Sequence, residues 1–127
     1  MKCPRGAPFV RNPWDTAGYE EIVRHILGAR YSVSIVLIGD TTAKKLNKTY
    51  RNKTSPANIL TFPLAKNEAE IFLNVAGIKR EAHRFDFTPS QHGRFLLIHG
   101  CLHLKGHTHG STMEQAEERA LKKFAIR

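Results

Sequence analysis

The chain has 127 residues, enough for one ordinary domain and not two, and its 41% hydrophobic content excludes a disordered chain. Twenty Lys and Arg against 11 Asp and Glu leave a net charge of +9, which predicts a polyanionic partner: RNA, DNA or an anionic membrane. Membrane is the weakest of these, because no apolar run reaches the roughly 18 residues that span a bilayer.

Residues 1–14 lack the continuous apolar stretch of a secretory signal and are short for a transit peptide. Two cysteines, Cys3 and Cys101, make no disulfide framework. The expectation is a cytoplasmic protein with reduced thiols and no membrane association, with Cys101 a small buried side chain.

In chain order, residues 8–12 allow a short edge strand. Asp15 is placed to cap a first helix over residues 16–27, with Ile22, Val23, Ile26 and Leu27 on one face and Gly28 as its stop. Residues 31–38, rich in β-branched side chains, read as a strand that becomes fully buried at its end. Asp40 is placed to cap a second helix over 41–50, and 52–57 form a loop. Two short strands follow at 58–62, closed by Pro63, and at 70–75, then a third helix at 78–84. Thr88, Pro89 and Gln91 combine an N-cap, a first-turn proline and a capping box. The helix they open is apolar on most sides, predicts a central buried element and ends at Gly106. Thr112 with Gln115 repeats the capping box for a last helix with Met113, Ala116, Ala120, Leu121 and Phe124 on one face. The order predicts a single α+β domain, a small mixed sheet packed with about five helices.

Four of the seven histidines lie between positions 99 and 109. His99 and His103, four apart on the central helix, share a face with Cβ atoms about 5–6 Å apart, close enough for both imidazoles to ligate one zinc ion at about 2.0–2.1 Å. A lone histidine on an apolar face is ordinarily a core residue. Two at this spacing bring four ring nitrogens that need partners. His109, just past the glycine stop, is placed for a turn to deliver a third imidazole, and three ligands leave a position open for water, as in a catalytic zinc site. A metalloprotease would carry Glu after the first histidine as its base, and Gly100 stands there instead. Gly93 and Gly100 each cost about 1 kcal/mol of helix propensity, which close packing or access to the metal would explain.

The string from His99 to His109, HGCLHLKGHTH, resembles the signature of the YbeY family of ribosomal RNA maturation factors and endoribonucleases. Leu46 to Arg51 (LNKTYR) and Pro56 to Pro63 (PANILTFP) resemble a second block of the family, and Glu70-Ile71 with Arg80-Glu81-Ala82 a third. The resemblance implies one zinc per chain at His99, His103 and His109, a functional Arg51, and cleavage of single-stranded RNA, with ribosomal RNA as substrate and the ribosome or its proteins as partners; DNA is not expected. The family's Asp before the third histidine is Thr108 here, and its Gly-Asp before the third strand is Ala69-Glu70. Arg51 is the candidate to hold a phosphate by two-pronged hydrogen bonds, or alternatively to pin the following loop to a carboxylate. Lys44, Lys45, Lys48 and Lys53 form either a solvated helix face or a phosphate-tracking surface with it. Spacing identifies no general base. The rival reading is a ribosome-associated RNA-binding factor with a structural zinc, closed by His107 as fourth ligand and with little catalysis. A third is a zinc hydrolase of another substrate.

Overall fold

Three short segments pair into one mixed sheet in the computed structural model, which describes residues 14–53, 57–106 and 111–124. Strands β1 (Ser32–Ile38), β2 (Ile59–Ala65) and β3 (Glu68–Asn74) lie in the order β1-β3-β2. The central strand is parallel to β1 and antiparallel to β2, its hairpin neighbour. Among the described residues five α-helices accompany the sheet: α1 (Tyr19–Leu27), α2 (Asp40–Arg51), α3 (Val75–Ala82), α4 (Pro89–Leu104) and α5 (Ser111–Lys123). The α+β class expected from the sequence is the one observed. The 8–12 edge strand and Cys3 lie outside the described residues, as do His107, Thr108 and His109.

Alternation in β3 sets the core. Ala69, Ile71 and Leu73 point to one face and are fully buried. Directly paired residues share a face, so Ile35 and Leu37 of β1 and Ile59 and Thr61 of β2 join them there. The helix α4 packs on the β2 side of this face, with Leu97, Ile98, Cys101 and Leu102 buried between the sheet and the helices α1, α3 and α5. Burial pushes the Cys101 thiol up to about 12, so it is an inert core group. Gly93 and Gly100 are positions of close approach: a Cβ at Gly93 would stand 2.8 Å from the Trp14 and Tyr19 side chains, and one at Gly100 would stand 2.8 Å from Ile59 and 3.0 Å from Thr61. On the sheet's other face, β2 presents Leu60 and Phe62, paired with Phe72 and Glu70.

Several expected boundaries move. Asp15 does not cap α1: its carboxylate accepts from the Ala17 amide at 2.9 Å in a turn, and the helix starts at Tyr19 behind Gly18, whose φ is 83°. Asp40 is the first residue of α2, not its cap. Its carboxylate takes two bonds from Arg80 (2.7 and 2.9 Å) and one from Asn74 (2.8 Å), which hold its carboxyl down at about 2. Pro63 does not close β2. It sits inside an outer strand at a register break between Pro63 and Ala65, where a residue without an N–H is tolerated. The end of β1 is half-buried rather than buried. β3 stops at Asn74, whose side chain accepts from the Gly77 amide and starts α3 at Val75, three residues before the position expected. A 3-10 turn at His83–Phe85 occupies the end of the predicted third helix. The Thr88–Gln91 capping box is present as read, and α4 ends at Leu104. The last helix begins at Ser111, so Thr112 lies in its first turn rather than at the cap.

Candidate active-site cleft

His99 and His103 lie one turn apart near the end of α4, both partly buried. Their Nε2 atoms are 3.2 Å apart, with the rings nearly perpendicular and centroids 4.8 Å apart. Two nitrogens each about 2.0–2.1 Å from one tetrahedral zinc stand about 3.3 Å apart. The pair therefore has the bite of two ligands on a single ion. Among the described residues no three His, Cys, Asp or Glu side chains converge as a ligand set, the expected third ligand His109 being outside them.

A carboxylate that the sequence reading did not identify completes the described geometry. Glu117, on α5, makes a short hydrogen bond to Nδ1 of His99, with side-chain exposures of 15% for Glu117 and 24% for His99. A carboxylate on Nδ1 holds the proton on that nitrogen, so the Nε2 lone pair faces His103, which is the tautomer a metal ligand needs. The only sequence signal for Glu117 is its place one residue after Ala116 on the buried face of α5, at the boundary between core and solvent.

The two imidazoles open onto a cleft of about 490 Å³ that straddles the outer edge of β2. Ile59, Thr61, His99, Gly100 and His103 line its α4 side, and Leu60, Phe62, Tyr50 and Arg51 line the other. Arg51 is brought to the rim by the way α2 ends. Asn52 adopts a left-handed conformation (φ 54°), its amide bonding Lys48 O while that of Lys53 bonds Asn47 O, so the chain turns away directly after Arg51. Arg51 is exposed and lines the cleft. Lys44, Lys45, Lys48 and Lys53 are exposed and stand outside the cleft lining. Among the described residues no helix is long and apolar enough to cross a membrane.

The described residues thus combine an α+β fold, two imidazoles at the spacing of two ligands on one ion, and an arginine lining the same cleft. The family model of endoribonuclease YbeY matches residues 12–125, and the chain belongs to the YbeY endoribonuclease family. It is 36% identical over 105 residues to an endoribonuclease YbeY of Ehrlichia ruminantium (strain Welgevonden), covering 75% of this chain and 67% of that one. With an endoribonuclease YbeY of Acidovorax ebreus the identity is 29% over 107 residues, covering 82% and 70%. A Thermotoga maritima protein of known solution structure superposes with a TM-score of 0.59 at 26% identity, covering 84% of this chain and 78% of that one.

Proposed function

We propose that the chain is a zinc-dependent endoribonuclease that cuts single-stranded RNA, with ribosomal RNA as its substrate in the cytoplasm. The observation that carries this reading is the 3.2 Å Nε2 pair of His99 and His103 on a cleft shared with Arg51. His99, His103 and His109 would hold the ion. When bound there, zinc lowers the pKa of a coordinated water and polarises a phosphoryl oxygen. The chain's own groups do the remainder. Glu117 keeps the His99 proton on Nδ1 and aims its ring. The Arg51 guanidinium grips two oxygens of the phosphate and offsets its charge. The exposed lysines of α2 extend the electropositive surface along which the backbone travels toward the cleft, and the ribosome is the partner on which such a substrate is met.

The test measures zinc content and cleavage of a single-stranded RNA on the same preparations. His103→Ala is expected to lose most of its zinc and at least a hundredfold in cleavage. Arg51→Ala is expected to keep zinc and melting temperature while losing cleavage, and Arg51→Lys to recover only part of it, because an ammonium lacks the planar fork. Undiminished cleavage in a zinc-free His103→Ala protein would overturn the reading.

A further inference from the structure

The sequence places an aromatic residue directly before Arg51, and the fold leaves it open. Tyr50 is 65% exposed and lines the same cleft as His99 and His103. It is nonetheless not a loose surface ring. It meets Phe62 edge-on with centroids 5.3 Å apart, and Phe62 meets Phe72 of the central strand in the same way at 5.5 Å. A ladder of three rings thus runs from the middle of the sheet to the rim of the cleft and fixes the outermost ring while leaving most of it accessible. An aromatic held in place at little further entropy cost, beside a cation suited to phosphate, is the pairing with which proteins take a single nucleotide: base on ring, phosphate on guanidinium.

We propose that Tyr50 is a base-stacking platform, and that it gives the cleft its preference for single strands. The inference deepens the endoribonuclease reading and rests on it. A base within a duplex already has both faces stacked on its neighbours and cannot offer one to Tyr50 without unpairing. An unpaired base can, and its phosphate then reaches Arg51. Stacking is sequence-tolerant because every base has a π-face, so the platform selects strandedness and not sequence.

The probe is a short single-stranded RNA carrying one 2-aminopurine, mixed in a stopped-flow instrument with intact zinc-loaded protein and read before cleavage. Wild type and Tyr50→Phe are expected to quench the fluorophore. Tyr50→Leu, which keeps apolar contact with Phe62 and should match wild type in melting temperature, is expected to lose the quench and bind about tenfold more weakly. Its binding to a fully paired RNA should be unchanged, narrowing the gap between the two substrates. Quenching and affinity equal to wild type in Tyr50→Leu overturn the platform and leave the endoribonuclease reading standing. Wild-type protein that neither binds nor cuts the single strand overturns both.

Discussion

One helix carries two histidine–carboxylate pairs, and they have opposite characters. Near the start of α4, His92 is fully buried, its Nε2 2.7 Å from Glu81, with Phe85, Phe87 and Phe95 around the ring at centroid distances of 5.0, 6.0 and 6.0 Å. Its Nδ1 is buried with no hydrogen-bond partner among the described residues. Near the end of the same helix, His99 also meets a carboxylate, Glu117, but its other nitrogen faces a second imidazole at the head of a cleft. The difference lies in the far side of each ring. Where it meets phenyl groups, the pair is a structural tie between α3 and α4. Where it meets a second imidazole and open space, the carboxylate instead orients a ring that faces the cleft. A histidine–carboxylate contact is therefore not by itself a mark of chemistry; the environment of the remaining nitrogen is.

The sharpest way to break this contrast is to remove the buried ring. His92→Ala empties an aromatic cage and strips Glu81 of a donor, so it should cost about 2–4 kcal/mol of folding stability. Measured as a lower denaturant midpoint, that loss should come with zinc content unchanged at saturating metal. Zinc loss without destabilisation would reverse the assignment of the two pairs. Glu117→Ala should do the converse, lowering zinc affinity about 10–100-fold in a chelator competition while moving the melting temperature little.

Acid provides the smallest effect. Burial by itself would raise the Glu81 carboxyl, but hydrogen bonds from His92 and Asn58 outweigh it and hold the group below the ordinary glutamate range. A depressed folded value means stability that is fully present above the unfolded pKa of about 4.3 and is lost as pH falls through the folded one. Asp40, held at about 2 by Arg80 and Asn74, acts the same way between about pH 4 and pH 2. Melting temperature followed over that range should fall less steeply in Asp40→Asn than in wild type. An unchanged slope would mean that the bonds to Asp40 add nothing to stability.

What could be read in the sequence follows how local each interaction is. The Thr88–Gln91 cap and the His99–His103 pair depend only on neighbours within one helical turn, so spacing is enough to find them. Asp15 and Asp40 are the right residue type for caps, yet one is engaged in a preceding turn and the other by Arg80, 40 residues on. Asn74 starts a helix from inside what reads as strand because its side chain can cap where its backbone is still extended. Glu117 reaches His99 across 18 residues and is invisible to any periodicity. Gly100 allows two explanations, packing or access to a metal; it approaches Ile59 and Thr61 closely and also lines the cleft beside His99 and His103.

Pro63 has a consequence for behaviour in concentrated solution. β2 is an outer strand, and Leu64 on it is 55% exposed, the combination by which proteins recruit one another into extended ladders. A proline cannot donate to an arriving strand, and the register break between Pro63 and Ala65 interrupts the flat run on which such a strand would settle. The same edge forms the middle of the cleft. Pro63, just beyond the part of β2 that lines the cleft, thus makes this one edge of the sheet a poor template for the strand of a second copy.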